Sequence, residues 1–268
     1  MVYFPNAKIN IGLFITEKRA DGFHNIESCF YPIGWSDVLE ILPSDKLSFK
    51  STGIDIPGEP SGNLCLKAYE LLKKDFDIPP VSVHLHKVVP IGAGMGGGSS
   101  DGAFTIKTLN YLFELGLSLE VMENYARKLG SDCAFFIQNR PQFCFGKGDE
   151  FSEIDVNLTG EYIVLINPNI HISTIEAYSG IKPKASASDL KETLKLPIQE
   201  WKNLVHNDFE QNLFPRFPIL GTIKESLYES GASFASMTGS GSTIYGIFEK
   251  EVDLRNMFDN YAVWQGFL

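Results

Sequence analysis

Apolar and polar residues alternate with two different periods near the middle of the chain, and the change of period marks the first predicted elements. Val81, Val83 and Leu85 are separated by single polar residues, which is the pattern of a half-buried strand. After residue 102 the apolar positions recur at helical spacing, and Gly116 follows as a stop signal. The segment between them is therefore predicted to be a loop that joins a strand to the N-terminus of a helix.

The same two patterns predict further elements on both sides of this loop. Alternation and apolar runs predict strands at residues 3–15, 27–34, 37–42, 46–51, 161–167, 232–236 and 243–248, and a strand that reaches a turn over residues 143–149. Helical spacing predicts helices at residues 63–74, 119–129, 174–179, 207–212 and 219–230. Residues 182–200, rich in Lys, Ser and Pro, are predicted to form a solvated excursion. A change of character near residue 153 places a domain boundary at about residues 150–160.

The predicted central loop has the composition of a phosphate-binding loop. Five of the twelve residues from Pro90 to Asp101 are glycine, and three of them are consecutive at positions 96–98. Consecutive glycines in helical context cost about 1 kcal/mol each, so an ordinary turn explains them poorly. Glycines let backbone N–H groups approach a ligand, and a helix N-terminus attracts anions. We expect Ser99, Ser100 and Asp101 to cap the helix, or the two serine hydroxyls to face a phosphate or its metal. Because no Lys follows the last glycine, the loop is not of the Walker type.

Two other stretches place polar residues at candidate sites. Lys8 and Asn10 share one face of the first strand, opposite a row of apolar residues. A Lys on a strand usually faces solvent, but Asn is disfavoured in strands, so this face is also a candidate site. Asp132 begins a predicted helical turn, where an acidic side chain also stabilises the helix dipole. Phe135 and Phe136 are expected to pack against the rest of the protein and so hold this turn in place.

A second glycine-serine loop lies near the C-terminus. Gly239, Ser240 and Gly241 separate two predicted strands. Alone, this loop is equally well explained as a tight hairpin. Together with the central loop, it suggests a second set of backbone donors facing the same anion.

Composition narrows the class of protein. The chain has 268 residues, a formal net charge of −10 and a pI near 5.0, which argue against nucleic acid or an anionic membrane as partner. No apolar run reaches the roughly 20 residues of a membrane span, and no signal peptide is visible. Cys29, Cys65, Cys133 and Cys144 form no C-x-x-C pair, as expected of reduced thiols. These features predict a soluble cytoplasmic protein.

Four separated motifs resemble the GHMP kinases, the superfamily of galactokinase, homoserine, mevalonate and phosphomevalonate kinases. The motifs are Pro5–Leu13, Pro90–Ser100, Gly130–Asp132 and Thr238–Thr243. The turn at Arg19–His24 is similar to the branch whose substrate is a cytidine diphosphate-linked polyol. The chain departs from the usual pattern at Phe23, where Tyr is common, at Tyr178, where Phe is familiar, and at Gly102, where Ala is usual.

The resemblance implies an α+β, two-domain GHMP kinase fold. Residues 1–155 are expected to form an ATP-binding domain of sheet and helices with a left-handed βαβ crossover, an exception to the right-handed rule. Residues 156–268 are expected to form a ferredoxin-like α/β sandwich. The resemblance also implies a small-molecule kinase that phosphorylates an alcohol.

The resemblance also assigns roles to individual residues. Asp132 matches the base that takes the proton of the C2 hydroxyl, and Lys8 matches the cation that orients this reaction. Phe23 and Tyr178 match an aromatic pair that sandwiches cytosine, while His24 recognises the base edge. The complete substrate-binding set is Asn10, Phe23, His24, Thr174, Tyr178, Gly239, Ser240 and Gly241.

The expected cofactors are ATP and Mg²⁺, with no residue assigned as a metal ligand. The ATP-binding set is Asn63, Lys87, Pro90, Ile91, Gly92, Ala93, Gly94, Met95, Gly96, Gly97, Gly98, Ser99 and Ser100. Asn63 and Lys87 match positions near adenine. Two alternatives stay open, namely a mevalonate- or homoserine-type kinase and a non-catalytic nucleotide-binding protein. The oligomeric state is open between a monomer and a weak homodimer.

Overall fold

The computed structural model describes residues 1–186 and 189–268, which form three four-stranded sheets and eight α-helices. The strands are β1 (Val2–Tyr3), β2 (Asn6–Lys18), β3 (His24–Ser36), β4 (Val38–Pro43), β5 (Ser48–Gly53), β6 (Val81–Lys87), β7 (Gln142–Phe145), β8 (Glu150–Ser152), β9 (Tyr162–Asn167), β10 (Phe234–Met237), β11 (Ile244–Phe248) and β12 (Ala262–Phe267). The helices are α1 (Leu64–Lys73), α2 (Gly97–Leu112), α3 (Leu119–Leu129), α4 (Phe135–Gln138), α5 (Thr174–Tyr178), α6 (Leu190–Thr193), α7 (Asp208–Leu213) and α8 (Pro218–Glu229).

The chain divides into two compact units, and each is assembled from separated segments. Unit 1 comprises Met1–Ala7, Trp35–Ile91 and Gly96–Arg140. Unit 2 comprises Lys8–Gly34, Gly92–Met95 and Pro141–Leu268. The domain boundary near residue 155 stays a prediction.

Unit 1 contains one sheet and the helices α1 to α4. The strands lie in the order β1, β4, β6, β5, and only β5 and β6 are parallel. Because α1 connects these two parallel neighbours, they form the βαβ unit of this half of the chain. Helices α1 and α2 pack closely at Gly102, where an added Cβ would lie 3.0 Å from the Cβ of Leu64. Glycine in place of the usual alanine therefore has a packing reason.

Unit 2 contains two sheets, ordered β2, β3, β7, β8 and β10, β11, β9, β12. In the second sheet all neighbours are antiparallel, and β9 lies between β11 and β12. This is the strand order of a ferredoxin-like sandwich, with α8 packed on β10 and β11. Residues 255–260 form turns at the position of the second helix of that arrangement.

The first strand is more deeply buried than its alternating sequence suggests. Residues 7–15 of β2 are all buried, so both faces of the strand contribute to the interior. Lys8 is 3% exposed and Asn10 is 1% exposed. The interpretation of their face as a solvated strand face is therefore wrong.

The expectation of a solvated excursion at residues 182–200 is wrong in its second half. Leu190 of α6 and Leu194 are buried, as is Ile198 of the following 3₁₀ helix, which continues beyond this segment to the buried Trp201. The Trp201 Nε1 atom donates to the Leu196 carbonyl at 3.0 Å. Residues 187 and 188 lie outside the described residues. The prediction also missed the strands β1, β8 and β12.

No helix among the described residues is long and apolar enough to cross a membrane. The four cysteines are free and buried, in agreement with the absence of a C-x-x-C pair.

Candidate active site

The central glycine loop joins β6 to α2, as the change of period predicts. Gly92, Gly94 and Gly96 have φ angles of +65°, +80° and +69°, which lie in the left-handed region that favours glycine. Gly96 is the N-cap of α2, and no side chain caps the helix there. The prediction that Ser99, Ser100 or Asp101 caps the helix is wrong, because all three lie inside α2. The first N–H groups of α2 therefore have no capping side chain and are suited to an anion.

The two glycine loops meet within unit 2. The hydroxyl of Thr238 donates to the Gly94 carbonyl at 3.0 Å. A Cβ added at Gly94 would lie 2.1 Å from the Thr238 carbonyl oxygen, and one at Gly239 would lie 2.8 Å from the Gly94 oxygen. Only glycines allow this approach, so the second loop is more than an isolated hairpin.

Lys8 and Asn10 are held by a buried hydrogen-bond network. The Lys8 ammonium donates to the Asn10 Oδ1 atom at 2.5 Å and lies 4.3 Å from the ring centroid of Phe30. The Asn10 Nδ2 atom donates to the Ser28 hydroxyl at 2.9 Å, and the Asn10 backbone N–H donates to the Thr238 hydroxyl at 3.0 Å. Sequence reasoning missed Ser28, which carries no local signal, whereas Thr238 is the first residue of a motif that it did identify.

Asp132 lies in a 3₁₀ turn, Ser131–Cys133, directly before α4. Its side chain is half-buried, and its Oδ1 atom accepts a hydrogen bond from the Ser131 hydroxyl at 3.3 Å. The neighbouring Phe135 and Phe136 are fully buried, as predicted. The carboxylate therefore stands on a turn that is anchored in the core of unit 1.

The aromatic residues of the predicted base site are arranged differently from the expectation. The rings of His24 and Tyr178 stack at 4.7 Å with an interplanar angle of 22°. Tyr178 also meets Phe209 edge-on at 4.9 Å. Phe23 is 60% exposed, and the Lys147 ammonium lies 5.3 Å from its ring centroid. His24 rather than Phe23 thus covers Tyr178.

Burial and the charge of Lys18 lower the pKa of His24. The imidazole is therefore neutral at neutral pH, with one ring nitrogen as donor and the other as acceptor. Thr174 is the first residue of α5, and the Ser173 side chain caps that helix.

Asn63 and Lys87 already have partners within unit 1. The Asn63 Oδ1 atom accepts from the Cys65 backbone N–H at 2.8 Å and so caps α1. Lys87 is 3% exposed, and its ammonium forms ion pairs with Asp37 and Asp101. These polar groups serve the fold, and contact with adenine stays a prediction.

Known proteins match this architecture. Residues 63–140 match the GHMP kinases N terminal domain, and residues 189–262 match the GHMP kinases C terminal domain. A crystal structure of 4-(cytidine 5'-diphospho)-2C-methyl-D-erythritol kinase superposes with a TM-score of 0.84 at 26% identity, covering 99% of this chain and 98% of the other. The fold and the two glycine loops thus define a small-molecule kinase of the GHMP class.

Relatives with similar sequences indicate to which family of GHMP kinases the chain belongs. A protein from Cytophaga hutchinsonii is 53% identical over 249 residues, which is 92% of each chain. One from Bacteroides fragilis is 49% identical over 261 residues, which is 96% of this chain and 95% of the relative. Both are named 4-diphosphocytidyl-2-C-methyl-D-erythritol kinase. The chain belongs to this family of GHMP kinases, which confirms the predicted fold class and the predicted kinase activity.

Proposed function

We propose that the protein transfers the γ-phosphoryl group of ATP to the C2 hydroxyl of 4-diphosphocytidyl-2-C-methyl-D-erythritol, in the non-mevalonate route to isoprenoids. The observation that carries this proposal is the 53% identity, over 92% of the chain, to a kinase of that name. The retained Lys8 and Asp132 favour a catalyst over a non-catalytic nucleotide-binding protein. The cytoplasm as the place of reaction and the oligomeric state stay predictions.

Asp132 is proposed as the base. In phosphoryl transfer the new bond joins the substrate oxygen to the γ-phosphorus, the bond from that phosphorus to ADP breaks, and the hydroxyl proton must leave. A half-buried carboxylate on an anchored turn is suited to receive that proton and to orient the hydroxyl beforehand. The Lys8 ammonium, fixed by Asn10 at 2.5 Å, stabilises negative charge that develops on the oxygen.

The glycine loop is proposed to bind the ATP phosphates through the backbone N–H groups that begin α2. The left-handed glycines leave this stretch of backbone free of side-chain bulk. Mg²⁺ neutralises phosphate charge when bound, and we expect it to arrive with ATP. Among the described residues no group of three His, Cys, Asp or Glu side chains is arranged to hold a metal ion.

The cytosine is proposed to stack on Tyr178, with His24 at the base edge. A ring separation of 4.7 Å leaves no room for a base between the two side chains. We therefore expect the imidazole to swing away from Tyr178 when the base binds. Phe23, which is largely exposed, supplies the second stacking surface.

A substrate panel tests the proposed function. The purified protein is given MgATP with 4-diphosphocytidyl-2-C-methyl-D-erythritol, mevalonate or homoserine, and ADP release is followed. We expect only the cytidylyl compound to react. If mevalonate or homoserine reacted and the cytidylyl compound did not, the specific substrate assignment would be wrong and only membership of the superfamily would stand.

Tyr178→Ala tests base stacking. Loss of one stacked ring is expected to raise KM for the cytidylyl substrate about tenfold, because base stacking contributes about 1–3 kcal/mol. KM for ATP should stay near the wild-type value. Tyr111→Ala, at an exposed tyrosine of α2, is the matched control and should change neither constant. An equal rise of both KM values in Tyr178→Ala would contradict a specific role in base binding.

A further inference from the structure

We propose that Asp37 and Asp101 are positioning residues, which act through the Lys87 ammonium to hold both ends of the glycine loop in the geometry that receives ATP. The inference deepens the proposed function, because it rests on the assignment of this loop to ATP. The sequence predicted Asp101 only as a possible helix cap and assigned no functional role to Asp37.

Asp37 fixes the backbone that enters the loop. It lies between β3 and β4 and is 0% exposed. Its Oδ1 atom accepts hydrogen bonds from the backbone N–H groups of Val88, at 2.6 Å, and Val89, at 2.8 Å. Its Oδ2 atom accepts from the Lys87 ammonium. One carboxylate thus holds three consecutive residues immediately before the loop.

Asp101 fixes the backbone that leaves the loop. It belongs to the first turns of α2 and is 3% exposed, and its Oδ2 atom accepts from the Lys87 ammonium at 2.8 Å. A Cβ added at Gly97, the first residue of α2, would lie 3.0 Å from the Lys87 Nζ atom and 3.1 Å from a methyl group of Val89. The first residue of α2 therefore packs directly against the Lys87 ammonium.

The loop between Val89 and Gly97 depends on these two ends. Three of its glycines adopt left-handed φ angles, and glycine restricts the backbone less than any other residue. Hydrogen bonds between ions are strong and directional when they are buried. The ion cluster of Lys87, Asp37 and Asp101 therefore restricts the backbone at both ends of a loop that its glycines leave flexible. A loop that is already held in its binding geometry loses less conformational freedom when ATP binds, so this restraint is relevant to KM for ATP.

The net charge of this cluster excludes the simpler interpretation that Lys87 attracts the ATP phosphates by its positive charge. Two carboxylates face one ammonium, and the Asp101 Oδ1 atom has no hydrogen-bond partner among the described residues. Burial raises the pKa of Asp101 to about 7, with Lys87 opposing the shift and Asp37 reinforcing it. Cys65 of α1 also faces this carboxyl, and burial raises the pKa of its thiol, so it stays neutral. The cluster is thus neutral or negative and contributes geometry rather than attraction.

The first test compares the effect of each substitution on KM for ATP with its effect on the melting temperature. We expect Asp37→Ala and Asp101→Ala to raise KM for ATP about tenfold or more, while KM for the alcohol changes little. Asp75→Asn, at an exposed carboxylate of the same unit, is the control and should change neither value. Variants with a lowered melting temperature but an unchanged KM for ATP would show a purely structural cluster and overturn the proposal.

The second test uses Asp101→Asn, which keeps the volume and an acceptor for Lys87 and serves if the Ala variants fail to fold. It should restore KM for ATP at neutral pH. An Asn variant that folds like the wild type yet keeps the raised KM for ATP of the Ala variant would count against the role of Asp101.

Both tests use whichever alcohol the wild-type protein phosphorylates. A failure of the cytidylyl assignment therefore leaves the ATP measurements intact. A failure of the positioning role, in turn, leaves the substrate panel intact.

Discussion

Asp132→Asn is expected to lower kcat by a factor of about 10²–10⁴, the range typical of general acid–base groups. Asparagine matches the size and hydrogen-bonding reach of the carboxylate, but it does not accept the proton of the attacking hydroxyl. The loss corresponds to about 3–5 kcal/mol of barrier. ATP affinity, measured by titration of the free enzyme, should stay near the wild-type value because the carboxylate acts on the acceptor alcohol.

Asp45→Asn is a suitable control, because this carboxylate is exposed in the turn between β4 and β5. Its kinetic constants should match those of the wild type. If Asp132→Asn kept more than about a tenth of the wild-type rate, corresponding to less than 1.4 kcal/mol, Asp132 would not be the base.

Gly98→Val is expected to reduce ATP affinity about tenfold or more, one decade being 1.4 kcal/mol. A Cβ added at Gly98 has no neighbouring heavy atom within 4 Å, so the fold accommodates the substitution. The valine instead occupies space beside the N–H groups that begin α2, where phosphate is proposed to bind. Nucleotide titration and thermal unfolding on the same sample measure the two effects.

Gly97→Val is the informative comparison for this prediction. Its Cβ would point inward, 3.0 Å from the Lys87 ammonium, so this variant should lose thermal stability as well as affinity. If Gly98→Val bound ATP as tightly as the wild type while remaining folded, the glycine loop would not be the phosphate site.

Local signals explain which elements were predictable from sequence. Helix α3 occupies the predicted residues 119–129, because Ser118 caps its start and Gly130 follows its end. The fold class and the kinase activity followed from motifs that are continuous in sequence. The roles of the individual site residues stay predictions that the variants above test.

Long-range packing explains what sequence reasoning missed. Trp201 lies in a polar stretch, and only the tertiary fold shows that it is buried. Asp37 and Lys87 are 50 residues apart in the chain, and neither position has a local pattern that indicates an ion pair. Ser28 likewise supports Asn10 across 18 residues. Tertiary packing brings together residues that are distant in the sequence, whereas the periodicity of apolar residues indicates only the structure of a single helix or strand.

The Thr238 hydroxyl has a consequence for how mutations in this protein combine. It accepts a hydrogen bond from the Asn10 N–H and donates one to the Gly94 carbonyl, each at 3.0 Å, so a strand and two loops share one oxygen atom. Substitutions among residues that share a partner are generally not additive. The free energies lost in single variants at these three positions should therefore not sum to the loss in a multiple variant. In thermodynamic terms, the three segments act as one cooperative unit.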